Sequence, residues 1–241
     1  MSSLAPAPSR FDLHTYRPAA LVFDLDGTVV DNMALHAEAF AVFATRHGLP
    51  PLTPADRAKL DGRRNSEIFP ILFGRELSRD EWQAYEVEKE TLYREISRGR
   101  LTPLPGLTRL LERAQALGRP VALATSAPAP NVAHTLAETG LTDAFACIVR
   151  GDEVGRGKPA PDVFLAVAAR LDLAPPACLV FEDAPMGLVA AHAAGMPSVL
   201  LTTSFSGAEL AGSAHAPAAA YADFEAFLAG AGRWLLVERI D

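Results

Sequence analysis

Two aspartates are the residues of this sequence best suited to chemistry. Asp24 and Asp26 directly follow the apolar run Ala20-Leu21-Val22-Phe23, and Gly27 permits a turn after them. A short apolar run of this kind is typical of a buried strand, and the two-residue spacing places both carboxylates on one side of its end. Adjacent carboxylates repel unless a cation lies between them or one is protonated. Because Mg²⁺ binds carboxylates together with substrate phosphate, the pair indicates either a magnesium site or a turn with two solvated acids.

Three later segments carry residues that could complete such a site. Thr125-Ser126 and Glu182-Asp183 each follow an apolar run, and Lys158 opens the loop Lys158-Pro159-Ala160-Pro161-Asp162. Each segment alone has an ordinary explanation as a helix cap, a turn or a solvated loop. The carboxyl ends of parallel strands, however, lie at one edge of a sheet, where ligands bind. Together the segments therefore predict a single site.

The residue types suggest a division of roles. A carboxylate can attack phosphorus and form an aspartyl phosphate, and we expect Asp24 to be this nucleophile. Asp26 is predicted to be the general acid and base. Thr125 and the Ser126 N–H are predicted to bind phosphate oxygens, whose charge Lys158 neutralises.

The cofactor that these residues indicate is Mg²⁺, which prefers hard oxygen ligands. Its predicted ligands are Asp24, the carbonyl oxygen of Asp26, and Asp183. Glu182 is either a further ligand or a partner for Lys158.

The elements that must position these residues are predicted from Gly106 onward as alternating helices and strands. Helices are predicted at 107–117, 129–139, 161–171 and 186–194, strands at 120–124, 146–150, 178–181 and 198–201, and a weaker pair within 218–229. The strands are continuous apolar runs, as expected when helices cover both faces. This alternation predicts an α/β fold with a doubly wound, Rossmann-like parallel sheet. Residues 234–237 are compatible with an edge strand or a docked tail.

The segment between Asn32 and Pro103 has a different pattern. Helices are predicted at 33–48, 54–60, 65–73 and 79–98 without a strand, which indicates an all-helical cap inserted into the sheet domain. We therefore predict a flexible segment at 1–17, an α/β core at 18–31 and 104–241, and a cap at 32–103.

The composition restricts the partners. The chain has 241 residues, 49% of them hydrophobic, and a net charge of −7 without a basic tract, which argues against nucleic acid. No apolar run reaches the length of a membrane span, so no membrane partner is expected. Cys147 and Cys178 lack metal-ligand spacing and favour a reducing, cytoplasmic location. The expected partner is a small phosphorylated metabolite; the oligomeric state is not indicated, and a monomer is compatible with the sequence.

The four segments, in this order, resemble the signature motifs of the haloacid dehalogenase-like hydrolase superfamily. Residues 31–36 and the sequence Glu182-Asp183-Ala184-Pro185-Met186-Gly187 are most similar to the branch of β-phosphoglucomutases and sugar phosphatases. The resemblance implies Mg²⁺-dependent phosphoryl transfer through an aspartyl phosphate, with the cap selecting the substrate. Asp26 argues against a dehalogenase, because dehalogenase members lack this second acid.

Within that branch we expect a phosphatase that hydrolyses a small phosphorylated sugar or a related metabolite. A β-phosphoglucomutase-type mutase is the alternative, and Lys89 with Tyr93 fits the cap helix of the mutases. Three departures weaken it. Asn65 stands where mutases carry a phosphate-binding arginine, and Asn32 replaces a hinge threonine. The second motif reads Thr125-Ser126-Ala127-Pro128-Ala129, where the mutases have Ser-Ala-Ser followed by a basic residue and Asn. A non-catalytic metabolite-binding or interaction module is a third alternative.

Three cap residues are predicted to bind substrate. His36 is placed to touch the substrate or Asp26, and Arg64 lies in a glycine loop that suits anion recognition. Lys89 stands among three glutamates, and a solvated helix face explains it equally well.

Overall fold

The computed structural model describes residues 12–53, 56–57, 60–206, 208 and 215–232 of the chain. Six strands in that part form one parallel sheet in the order β3-β2-β1-β4-β5-β6. They are β1 Ala20–Phe23, β2 Val121–Thr125, β3 Cys147–Arg150, β4 Cys178–Glu182, β5 Ser198–Leu201 and β6 Ala219–Tyr221. The chain moves outward from β1 to β3 and returns to β4 beside β1. Ligands of such sheets bind at this reversal of strand order.

Helices cover both faces of the sheet. In chain order the helices are α1 Met33–Arg46, α2 Asn65–Phe73, α3 Arg79–Ser97, α4 Leu107–Ala116, α5 Ala129–Thr139, α6 Asp162–Arg170, α7 Pro185–Ala193 and α8 Phe224–Ala229. Successive residues of β1 point into two apolar clusters: Val22 joins the cluster that contains Phe164 of α6, and Phe23 joins the one that contains Phe224 of α8. Burial of both faces explains why the strand sequences are apolar throughout.

In the described part of the cap, α1, α2 and α3 share an apolar cluster of their own. Phe43 of α1, Phe69 of α2 and Tyr93 of α3 belong to it. The chain returns to the sheet domain at Pro103, which pairs with Val30 in an isolated bridge. The predicted fold class, a doubly wound sheet with an inserted helical cap, is confirmed, whereas the cap boundaries at 32 and 103 stay a prediction.

The predicted elements agree with the structure to within about two residues, and two strand ends that differ by one residue matter for the site. β2 extends to Thr125 and β4 to Glu182, so these residues end strands instead of opening loops. Glu182 pairs with Leu200 of β5, which explains the longer strand.

Some predictions fall partly or wholly outside the described residues. Of the helix predicted at 54–60, residues 56–57 and 60 are described, and they are helical. Residues 1–11 and 234–237 lie outside the described part. No helix within that part is long and apolar enough to cross a membrane.

Candidate active site

Four residues of the predicted site meet at the carboxyl edge of the sheet. The Lys158 ammonium lies 2.6 Å from Asp24 Oδ1 and 2.6 Å from Glu182 Oε1, and its side chain is 1% exposed. Glu182 Oε2 accepts hydrogen bonds from the backbone N–H groups of Asp183 and Ala184, each at 3.0 Å. Of the two alternatives for Glu182, this geometry favours a partner for Lys158.

Burial and mutual repulsion set the protonation of these acids. Burial raises the pKa of Asp24 to about 7, against the opposing attraction of Lys158. Burial also raises the pKa of Asp183, and the neighbouring carboxylates of Glu182 and Asp24 raise it further. One lysine thus faces three buried carboxyl groups, which leaves the cluster short of positive charge.

The same three acids fit a divalent cation. One oxygen from each of Asp24, Glu182 and Asp183 lies within 4.8 Å of the other two, and all three residues are buried. Carboxylate oxygens suit a hard cation such as Mg²⁺, whose charge would offset the repulsion among them. Ser204, which the sequence did not single out, donates a hydrogen bond to Asp183 Oδ2 from the loop after β5.

Two glycines allow the backbone to close around these carboxylates. A Cβ at Gly27, whose φ is +80°, would lie 2.0 Å from Asp183 Oδ2. A Cβ at Gly187, in the first turn of α7, would lie 1.7 Å from Glu182 Oε1. A side chain at either position must therefore displace an acid of the site.

Gly187→Ala is expected to destabilise the fold by about 1–3 kcal/mol, because the added methyl group overpacks a buried carboxylate. The measurement is urea unfolding. Gly155→Ala is the control: that position is exposed, its nearest neighbour would be 3.8 Å from the new Cβ, and we expect a change within about 0.5 kcal/mol. Equal stability of the two variants would contradict the packing derived for Glu182.

Asp26 belongs to a second group of residues, which it forms with the start of the cap. Asn32 Nδ2 donates to Asp26 Oδ1 at 2.6 Å, and Asn32 Oδ1 accepts the Gly27 N–H at 3.0 Å. His36 Nε2 lies 3.5 Å from Asp26 Oδ1. Burial alone would raise the pKa of Asp26, but His36 and the Asn32 amide hold it below its usual value. Asp26 is therefore ionised in this arrangement.

Lys89 reaches the same group from α3. Its ammonium lies 2.9 Å from His36 Nδ1 and 2.9 Å from Glu90 Oε1. Since an ammonium only donates, His36 Nδ1 accepts and the imidazole proton is on Nε2, which faces Asp26. The His36 ring stacks on Tyr93 at 3.8 Å between centroids. Lys89 is only 2% exposed, so the alternative of a solvated helix face is wrong.

Thr125 and Ser126 lie at the end of β2. Thr125 Oγ1 accepts the Ala127 N–H at 3.0 Å, which leaves the hydroxyl proton available to a further acceptor. Ser126 Oγ donates to the carbonyl oxygen of Gly62 at 2.8 Å and so joins the core to the cap.

Arg64, which was predicted to bind substrate, does not line the cleft described below. Its Nε pairs with Glu67 Oε1 at 3.1 Å and its Nη1 donates to the carbonyl oxygen of Gly151 at 3.2 Å. These bonds hold the guanidinium between α2 and the segment after β3, and Arg63 lines the cleft instead. The glycine loop indicated an arginine, but neighbouring positions in such a loop point in different directions.

A cleft between the sheet edge and the cap is lined by residues of both groups. It is lined by seven of the predicted residues: Asp24, Asp26, His36, Lys89, Thr125, Ser126 and Asp183. Lys158 and Glu182 lie behind the Asp24 carboxylate. The cleft is also lined by Asn65, Glu90 and Asn131, none of which was predicted from the sequence to act in the site.

The comparison with protein families covers both groups of the site. Residues 18–195 match the model of the haloacid dehalogenase-like hydrolases. The chain belongs to this family. The matched residues run from β1 to the end of α7 and include the whole cap, in agreement with the resemblance that the four motifs carried.

Curated relatives within this haloacid dehalogenase-like family include a phosphatase and a mutase. The fructose-1-phosphate phosphatase YqaB of Escherichia coli is 34% identical over 183 residues, which are 76% of this chain and 96% of the relative. The β-phosphoglucomutase of Bacillus subtilis is 34% identical over 191 residues, 75% of this chain and 81% of the relative. The prediction of a phosphoryl-transfer enzyme is thereby confirmed at the level of the family, against the non-catalytic alternative.

A solved structure supports the same assignment. The crystal structure of a HAD hydrolase of family IA, variant 3, from Entamoeba histolytica superposes with a TM-score of 0.77 at 28% sequence identity. The superposition covers 86% of this chain and 93% of that one.

Proposed function

We propose that this chain is a Mg²⁺-dependent phosphatase that hydrolyses a small phosphorylated sugar or a related metabolite through an aspartyl phosphate on Asp24. The observation that carries the proposal is the division of the acids at one cleft. Asp24 is bound to Lys158 beside Asp183, whereas Asp26 is held separately by Asn32 and His36. Two carboxyl groups that reach one cleft with separate partners can take the separate roles of nucleophile and general acid. The phosphatase relative supports the substrate class.

Asp24 is the attacking group in this mechanism. Lys158, bound to Asp24 Oδ1, orients the carboxylate and offsets the charge of the substrate phosphate. The Thr125 hydroxyl and the Ser126 N–H donate to the phosphate oxygens in the transition state. Asp24, Asp183 and the Asp26 carbonyl oxygen would hold Mg²⁺, which supplies charge that weakens the repulsion between phosphate and carboxylate.

His36 and Asn32 favour the ionised form of Asp26, so this residue takes up a proton from solvent before it protonates the leaving oxygen. The resulting carboxylate then removes a proton from the water that hydrolyses the aspartyl phosphate. The hydrogen bond from Asn32 and the approach of His36 Nε2 to 3.5 Å place this acid against the start of α1. Cap closure about hinges near 31–32 and 102–103 would exclude water and assemble the site.

Product analysis tests the proposed function. The protein is incubated with Mg²⁺ and a panel of sugar and short-chain phosphates, and free phosphate is measured. We expect release from one or a few of them without any primer. The absence of release from every compound, 4-nitrophenyl phosphate included, would overturn the proposal.

The second candidate is a β-phosphoglucomutase-type mutase, favoured by the buried Lys89 at the cleft and by the Bacillus subtilis relative. A mutase would convert β-glucose 1-phosphate to glucose 6-phosphate only with a bisphosphate primer and without free phosphate. The same assay therefore separates the two candidates.

Mg²⁺ is expected to stabilise the folded chain, because the carboxylates of Asp24 and Asp183 bind it only when folding brings them together. At 100 times the dissociation constant the gain is about 2.7 kcal/mol, measured as a rise in Tm. Asp183→Asn should abolish most of the rise. The matched control Asp152→Asn removes an exposed acid whose side chain is 60% accessible, and it should keep the rise. An equal rise in both variants would remove Asp183 from the metal site.

A further inference from the structure

A buried carboxylate on the cap side of the cleft binds three donors. Glu90 of α3 is 4% exposed. Its Oε1 accepts from Asn65 Nδ2 at 2.7 Å and from Lys89 at 2.9 Å, and its Oε2 accepts from Asn131 Nδ2 at 2.6 Å. All four residues line the cleft, so the network faces the place where a substrate binds.

The amide side chains in this network have fixed orientations. Asn65 Nδ2 lies between carboxylate oxygens of Glu86, at 3.2 Å, and Glu90, so this atom is the donor and Oδ1 is the acceptor. Asn131 Oδ1 accepts from Arg94 Nη1 at 2.8 Å, which fixes its orientation too. In the part of the chain that the structure describes, no group donates to Asn65 Oδ1.

The network leaves acceptor positions open at two residues, beside the remaining N–H positions of Lys89 and Asn131. Glu90 Oε2 holds one donor and can accept a second, and Asn65 Oδ1 can accept from a ligand. A sugar or polyol hydroxyl donates to such atoms. A phosphate dianion offers only acceptors, and the carboxylate repels it.

The cations nearest this end of the cleft are already paired. Lys89 is bound to His36 and Glu90, and its ammonium lies 4.3 Å from the centroid of the Phe40 ring. Arg63 Nη1 lies 3.5 Å from Glu67 Oε2. A second phosphate group would have to displace one of these partners.

From this chemistry we infer that Glu90 and Asn65 form a hydroxyl-binding subsite. The substrate is then a monophosphate of a polyhydroxylated carbon chain, and a second phosphate at this end of the cleft is rejected. The inference rests on the proposed phosphatase function and deepens it by naming the substrate class.

The first test compares two substrates that differ only in the distal group. Fructose 1-phosphate ends in a hydroxyl and fructose 1,6-bisphosphate in a phosphate. We expect the wild-type kcat/KM for phosphate release to favour the monophosphate by about 100-fold or more, because like charges are opposed in the bisphosphate complex. This comparison needs no variant and stands even where a substitution impairs folding.

The second test assigns the preference to Glu90. Glu90→Gln keeps the shape of the side chain and removes its charge, and it should lower the ratio of the two kcat/KM values about tenfold or more. Both kcat/KM values are measured on the same variant, so an effect of the substitution on catalysis through Lys89 cancels in their ratio. Glu88→Gln, the matched control, removes the same charge from the same helix at a residue paired with Arg46 and His47, and it should keep the wild-type ratio.

The outcomes separate this inference from the proposed function. Release of phosphate from 4-nitrophenyl phosphate without a preference for fructose 1-phosphate overturns the subsite alone. A wild-type preference that folded Glu90→Gln retains in full also overturns it. No release from these three compounds or from any other compound of the panel overturns the phosphatase itself, and the subsite with it.

Discussion

Asp24→Asn is expected to lower kcat by about four orders of magnitude or more, because a carboxamide does not attack phosphorus as a carboxylate does. The two side chains have the same shape, and the amide oxygen can still accept the Lys158 bond that Asp24 Oδ1 accepts at 2.6 Å. The site should therefore keep its geometry while it loses its nucleophile. The measurement is phosphate release at saturating substrate and Mg²⁺.

The stability of the same variant is the control. Burial raises the pKa of Asp24 from 3.8 to about 7, so the folded state binds more protons than the unfolded state between these values. Stability from this group is present at low pH and is lost as the pH rises from about 4 to 7. With a chelator at about pH 8, Asp24→Asn should therefore match or exceed the wild-type Tm. A folded variant with activity within tenfold of the wild type would refute the covalent mechanism.

Asp26→Asn is expected to slow turnover of a sugar phosphate by about 10²–10⁴-fold, because an alkoxide leaves poorly without a proton. We predict a different time course with 4-nitrophenyl phosphate. Its phenolate leaves without an acid, so Asp24 should still be phosphorylated, but the water that must attack next lacks its base. We expect a burst of about one equivalent of 4-nitrophenolate followed by slow release.

Stopped-flow absorbance measures this burst, and metal binding is followed beside it. Mg²⁺ should still stabilise Asp26→Asn, since the carboxylate is not one of the three acids whose oxygens cluster. Equal slowing of both substrates with no burst would assign Asp26 a role in phosphorylation alone or in the fold. If Asp26 acted in phosphorylation alone, another residue would have to be the base in the hydrolysis of the aspartyl phosphate.

The residues of the site that lie at the sheet edge are predictable, because the local sequence pattern and the sheet topology both determine their positions. An apolar run followed by Asp24 and Asp26 is a buried strand with polar residues at its end, and parallel strands align such ends. Strands β2 and β4 both end one residue later than predicted, where Thr125 and Glu182 pair within the sheet. Polar residues can end a strand if their side chains find partners, and a linear sequence does not show the Lys158 ammonium that Glu182 binds.

The cap half depends on contacts between distant positions. Lys89 and His36 are 53 residues apart, and only the packing of α1 against α3 brings them together. Lys89 stands among glutamates in the sequence, which suggested a solvated helix face. In the structure Lys89 and Glu90 are both buried and bind each other. Asn32 is an amide close in sequence to the two acids at the end of β1. Its hydrogen bond to Asp26, however, depends on the conformation of the turn between them, which the sequence does not predict.

The most direct measurement of the central claim is chemical trapping of the phosphorylated residue. Asp26→Asn is mixed with 4-nitrophenyl phosphate and Mg²⁺, quenched during the burst and treated with borohydride, which reduces an aspartyl phosphate to homoserine. Mass mapping of the peptides should find homoserine at position 24 and unaltered aspartate at 183. Unmodified Asp24 in a sample that has released its equivalent of 4-nitrophenolate would contradict the covalent mechanism on which the account rests.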